Sequence, residues 1–156
     1  PAPTTPKEAE LLAAINKVWK EKYDAGAVVN KQLILNQDAV GIVRGYGRVF
    51  EEANETPHKW VKSDDDILSD ERHKFAEKMK KYGDNSFAGM VCDEDTEGMV
   101  ALKYKYSCED TVVQAFVEDL LNSNLNSSKA EFISIYCPVV QNVTYMTAAI
   151  FLNDKA

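Results

Sequence analysis

Apolar residues recur at helical spacing in the first half of the chain. One such stripe predicts a helix that begins near Pro6 and ends at Gly26, with lysines and glutamates on the opposite face. Its apolar positions are Leu11, Leu12, Ile15, Val18 and Trp19. A second stripe begins at Asn36 and predicts a helix that ends before Pro57. Its positions are Ala39, Val40, Val43, Gly47 and Phe50.

The segment "SDDDILSDERHKFAEKMKKYG" predicts a third helix, which ends at Gly83. Ser63 and Asp66 have the spacing of a capping box. Acidic residues crowd its first turn and lysines its last, an arrangement that the helix dipole favours. Its inward stripe is Leu68, Arg72, Phe75, Met79 and Tyr82.

Strand-like patterns dominate the second half. "SFAGMVC" and "GMVALKYKYS" predict two strands, and "CEDTVVQAFVEDLLNS" predicts an amphipathic helix after them. "AEFISIYCPVV" and "VTYMTAAIFL" predict two more strands, of which the last is largely apolar and expected to be central. The chain is therefore expected to form one α+β domain over 1–156. It would hold a mixed or antiparallel sheet flanked by helices, with 1–6 as a loose lead-in.

The acidic stretch "VCDEDTEGMV" between the first two strands has the opening spacing of an EF-hand loop. Asp93, Asp95, Glu97 and Gly98 occupy that spacing, but the twelfth position, where calcium needs a bidentate glutamate, is Tyr104. Because the flanks are also strand-like, the pattern predicts a solvated hairpin turn and no metal site.

The net charge argues against two classes of binding partner. The 156 residues are 45% hydrophobic and carry a net charge of −7, which is typical of a soluble globular protein. An acidic surface disfavours nucleic acid and anionic membrane as partners.

Catalytic motifs are missing from the sequence. No G-x-S-x-G, P-loop, HExxH or GxGxxG occurs, so we expect neither an enzyme nor a bound cofactor. The histidines are His58, in a loop, and His73, expected at the surface of the third helix. A hydrolase that uses His58 with Cys92 or a carboxylate is the least favoured hypothesis.

The segment "GIVRGYGRVF" places glycines within the second helical stripe, where close packing against another helix is their expected use. Arg44 and Arg48, one turn apart, predict a small basic spot that would contact an anionic ligand; the alternative is a solvated face.

Three cysteines and three sequons indicate a secreted chain. If "GMVALKYKYS" and "EFISIYC" are parallel neighbours joined by the intervening helix, Cys108 and Cys137 meet at one sheet edge. Cys92 would lie on the order of 20 Å from Cys108. We therefore expect a Cys108–Cys137 disulfide, worth about 2–4 kcal/mol, in a protein outside the reducing cytosol. Asn54, Asn126 and Asn142 begin the sequons.

The segments "FAGMVCDEDTEGMVALKYKYSCEDTVVQAFVEDLLNS" and "EFISIYCPVVQNVTYMTAAIFLN" resemble the GPI-linked surface antigens of Eimeria. The resemblance implies a three-layer α/β/α sandwich like that of the CAP superfamily. It also implies a GPI anchor on the outer face of the plasma membrane, and attachment to a molecule on host cells. The ending "LNDKA" fits a chain that stops near an anchor site. With three cysteines and no CAP signature, the chain gives no residue onto which a CAP metal cavity can be carried.

The alternative from another class is a secreted carrier of a small lipid, held in an apolar pocket under the helices. That pocket would use Trp19, Phe50 and Trp60, unless these side chains simply fill the core.

Overall fold

The computed structural model describes residues 4–54, 67–93 and 99–154. Its helices are α1 (Pro6–Asp24), α2 (Gln37–Ala53), α3 (Ile67–Met79) and α4 (Asp110–Asn122). Short 3₁₀ turns follow α3 at Lys80–Tyr82 and α4 at Ser127–Lys129. The strands are β1 (Ile34–Leu35), β2 (Asn85–Ala88), β3 (Met90–Asp93), β4 (Met99–Leu102), β5 (Phe132–Tyr136), β6 (Val139–Val140), β7 (Val143–Thr144) and β8 (Thr147–Phe151).

Side-chain caps fix the starts of the first two helices. Thr5 Oγ1 accepts the N–H of Glu8, and Glu8 Oε2 accepts the N–H of Thr5, each at 3.2 Å, which completes a capping box. Asn36 Oδ1 accepts the N–H of Ala39 at 2.9 Å and begins α2. The predicted positions of both helices are confirmed. The predicted cap of α3 at Ser63 lies outside the described residues.

The main sheet has the strand order β1-β5-β8-β2. β1 pairs parallel to β5, whereas β8 pairs antiparallel to β5 and to β2. The sheet is therefore mixed, as expected for an α+β chain. β8 lies between β5 and β2 and all five of its residues are buried, so the predicted central position of this apolar strand is confirmed.

The predicted parallel pairing between the strand before α4 and the strand after it is wrong. β4 pairs antiparallel with β3, in register Met90↔Leu102, and forms a separate two-stranded sheet. The hairpin predicted around the acidic stretch is confirmed by this pairing, and its residues 94–98 lie outside the described residues.

Gly89 explains why the predicted strand "SFAGMVC" is split into β2 and β3. Its φ is +105°, a conformation that glycine adopts easily, and a β carbon there would overlap the carbonyl oxygen of Met146. After β4 the chain runs beside the start of β8. Tyr106 N–H donates to Thr144 O at 2.8 Å, and Met146 N–H donates to Tyr104 O at 3.0 Å.

The two faces of the main sheet belong to two hydrophobic clusters. Alternate residues of β5 separate, because Ile133 and Ile135 join one cluster and Phe132 joins the other. The first core cluster also contains side chains of α1 and α4, among them Leu11, Ile15, Trp19, Val113 and Phe116. The second core cluster contains side chains of α2 and α3, among them Val43, Tyr46, Phe50, Phe75 and Met79. Helices thus cover both faces.

Within 4–54, 67–93 and 99–154, none of the helices has the length and apolar character that a membrane span requires.

Candidate functional site

Cys108 and Cys137 both border the first core cluster. Cys108 precedes α4 and Cys137 follows β5; both are half-buried and both pack against that cluster. They are within electrostatic reach, because a charge on Cys108 contributes to the raised pKa of Cys137. Both are free thiols in the structure, so the predicted disulfide is not formed here and stays a prediction. We call Cys108, Cys137, Tyr106 and Glu8 the thiol site.

Cys137 is held in its protonated form. Burial is the main cause that raises the pKa of its thiol to about 12, and the charge of Glu8 adds to the effect. The charge of Lys7 acts in the opposite direction. Since the thiolate is the nucleophile, reduced Cys137 is a poor one.

Tyr106 connects Cys108 to the first turn of α1. Cys108 Sγ donates to Tyr106 Oη at 3.3 Å, and that hydroxyl lies 3.1 Å from both Lys7 O and Glu10 Oε2. Lys7 Nζ lies 4.4 Å from the centre of the Tyr106 ring. Burial raises the pKa of Tyr106, and its hydrogen bonds with Cys108 and Glu10 raise it further.

A buried ion pair joins α1 to α2 beside the thiols. Arg44 Nη2 and Nε lie 2.9 Å and 3.2 Å from Glu8 Oε1. Glu8 is 2% exposed and Arg44 is 6% exposed. The predicted basic spot of Arg44 and Arg48 is therefore wrong, because only Arg48 is exposed. Arg44 points inward, where the carboxylate of Glu8 compensates its charge.

Arg48 belongs to a second network, at the C-terminal end of α2. Tyr136 Oη donates to Glu51 Oε2 at 2.6 Å, and Val139 N–H donates to Glu51 Oε1 at 2.7 Å. Burial and Glu51 raise the pKa of Tyr136 to about 12, against the opposing effect of Arg48. A β carbon on Gly47 would overlap the Tyr136 ring, so this glycine does serve close packing, against a strand rather than a helix. Sequence reasoning missed Glu51 and Tyr136, because no local pattern links residues so far apart.

The three sequon asparagines have different surroundings. Asn54 is exposed at the C-terminal cap of α2, with φ of +45°, and its Oδ1 accepts Gln141 N–H at 3.0 Å. Asn142 is exposed in the turn between β6 and β7. Asn126 is half-buried and its Nδ2 donates to the carboxylate of Asp84.

Two of the three aromatic residues named for the expected lipid pocket lie in the core. Trp19 and Phe50 are fully buried, in the first and second core clusters respectively. Trp60 and His58 lie outside the described residues, and His73 is exposed as expected. An open groove of about 660 Å³ lies elsewhere, lined by Asp84 and by residues 121–126.

The thiol site places two free cysteines against one hydrophobic cluster, and the predicted disulfide would join them. Across the described part of the chain, no three residues of the His, Cys, Asp or Glu types converge in a way that could hold a metal ion. No protein-family model, curated protein or solved structure matches the chain.

Proposed function

We propose that the protein is a cell-surface antigen, held by a GPI anchor on the outer face of the plasma membrane, that attaches to a molecule on host cells. The proposal starts from the resemblance to the Eimeria surface antigens. It assigns no catalytic activity and no cofactor, and its partner is a host surface molecule rather than nucleic acid.

The observation that carries the proposal is that Cys108 and Cys137 pack against the same hydrophobic cluster. Two half-buried cysteines within electrostatic reach, on one cluster, suit a protein that matures where disulfides persist. The high pKa of Cys137 argues against a role as a standing nucleophile and favours a structural one.

The finer architecture is part of the same proposal. We take the fold to be a three-layer α/β/α sandwich of the CAP-like kind. Support comes from the packing of α1 and α4 against one set of sheet residues and of α2 and α3 against the alternate set.

Treatment of intact cells with a phospholipase that cuts GPI anchors tests the proposal. The protein is expected to move from the membrane fraction to the supernatant, and surface labelling of untreated cells is expected to reach it. A native protein that is already soluble before treatment would contradict the anchor. The purified, released protein is then expected to bind host cells in a saturable manner, and absence of binding would contradict attachment.

A further inference from the structure

Asn142 lies at the tip of the hairpin formed by β6 and β7. Val140 pairs with Val143, which leaves Gln141 and Asn142 as a two-residue loop with φ of +49° and +65°. Positive φ at both positions is the pattern of a type I′ turn, which suits asparagine. The side chain of Asn142 is exposed, and its amide has no hydrogen-bond partner among the described residues. A large group on this amide would therefore displace no contact.

The last residue of this sequon, Thr144, lies in β7, where it pairs with Val139. The transferase requires the hydroxyl of this residue, whereas the turn does not. Replacing Thr144 is therefore a second, independent way to prevent the modification.

The side-chain amide of Asn126, in contrast, is hydrogen-bonded. Its Nδ2 donates to the carboxylate of Asp84, and its N–H donates to Asn124 Oδ1 at 2.9 Å. The next residue, Ser127, is buried and hydrogen-bonded to Ser86. A sugar on Asn126 Nδ2 would separate this amide from Asp84 and press carbohydrate against a half-buried segment.

We propose that Asn142 is an N-glycosylation site of this protein and that Asn126 stays unmodified. The inference rests on the proposed function, because only the secretory route brings the chain to the transferase. In the reaction the amide nitrogen of Asn142 bonds to C1 of an oligosaccharide carried on a polyprenyl pyrophosphate. The bond from that carbon to the pyrophosphate oxygen breaks, the lipid pyrophosphate leaves with the electron pair, and the amide loses one proton.

Site mapping on the secreted chain tests the inference. The full 156-residue chain, preceded by a cleavable secretion signal, is expressed in a eukaryotic host and purified from the medium as folded protein. Peptide N-glycosidase converts a glycosylated asparagine to aspartate, and the sequons fall on separate tryptic peptides, 49–59, 106–129 and 130–155. Conversion at Asn142 and retention of asparagine at Asn126 are expected. An unmodified Asn142, or a sugar on Asn126, overturns the inference.

Two variants serve as matched controls. Asn142→Gly removes the acceptor and keeps a residue that tolerates positive φ, whereas Thr144→Val removes the sequon hydroxyl and keeps a β-branched shape. Both variants are expected to be secreted with peptide 130–155 unmodified; a sugar on that peptide in either one would contradict the assignment. In this test the expression host supplies the secretory route. If Asn142 carries a sugar but the phospholipase releases no protein from the native cells, the surface-antigen function is contradicted and the glycosylation site is not.

Discussion

Glu8 has two roles at the start of α1. It closes the capping box with Thr5, and it neutralises Arg44 of α2 inside the protein. Removing the Glu8 carboxylate takes away an ion-pair partner of the buried Arg44 guanidinium, and breaking a buried ion pair costs up to about 3–5 kcal/mol. We therefore expect the Glu8 carboxylate to stabilise the fold rather than to bind or react at the surface.

Glu8→Gln is expected to lower the free energy of unfolding by about 3 kcal/mol, because glutamine preserves the capping box but not the charge. Urea unfolding followed by circular dichroism measures the change. Glu21→Gln, at an exposed position on the same helix, is the control and should stay within about 0.5 kcal/mol of the parent.

Adding Arg44→Met to Glu8→Gln should restore part of the lost stability, because the double variant no longer buries the Arg44 guanidinium without the Glu8 carboxylate. If the double variant instead loses the sum of the unfolding free energies that the two single variants lose, the two side chains do not interact.

The raised pKa of Cys137 predicts slow alkylation in the reduced, folded protein. With a pKa of about 12 instead of 9.0, the thiolate fraction at pH 8 falls by about 1000-fold relative to an ordinary thiol, since each pKa unit is a factor of ten. Iodoacetamide labelling, read on tryptic peptide 130–155, should therefore be much slower in buffer than in urea. Glu8→Gln should accelerate it; equal rates in buffer and urea would contradict the raised pKa.

At the scale of elements, α2 has two glycines with opposite surroundings. A β carbon on Gly47 would overlap the Tyr136 ring, while one on Gly41 would meet nothing within 4 Å. Gly47→Ala is expected to destabilise by about 1–3 kcal/mol through overpacking. Gly41→Ala should instead stabilise by about 0.5–1 kcal/mol, since alanine is the better helix former. Thermal and urea unfolding of the two variants provide the comparison, and equal effects would show that α2 does not pack closely on β5.

The elements that the sequence predicts well are those whose apolar residues form a regular local pattern. The apolar stripes locate α1, α2 and α4, and the apolar character of "VTYMTAAIFL" identifies the central strand β8. Strand partners were predicted less well, because the kink at Gly89 depends on the approach of Met146 from far along the chain.

The candidate site, too, was predicted only in the part that local sequence determines. The two cysteines that were predicted to meet pack against one cluster, although the parallel pairing from which their meeting was predicted does not form. The inward direction of Arg44 could not be read from α2 alone, because the carboxylate that compensates it belongs to α1.

At the scale of the whole molecule, a Cys108–Cys137 bond would close a loop of roughly 30 residues that includes α4 and β5. Loop entropy predicts a stabilisation of about 3–4 kcal/mol. Peptide mapping of the native protein without reductant should find peptides 106–129 and 130–155 joined, and reduction should lower the unfolding temperature.

Cys92→Ser is the control for this bond. Cys92 lies in β3, opposite Val100 in the separate two-stranded sheet, so its replacement should leave the joined peptides and the effect of reductant unchanged. A bond from Cys92 to either of the other cysteines would contradict the assignment.

The order β1-β5-β8-β2 has a consequence during synthesis. β8 is the last of these strands to leave the ribosome, yet it separates β5 from β2 and supplies the hydrogen-bond partners of both. Until it emerges, the nascent chain holds helices whose apolar stripes have no finished sheet to cover, together with a β2 that lacks its partner and a β5 that can pair only with β1. Such chains aggregate easily. Premature termination anywhere before Thr147 is therefore expected to give a product that chaperones and proteases clear, rather than a shortened but folded protein.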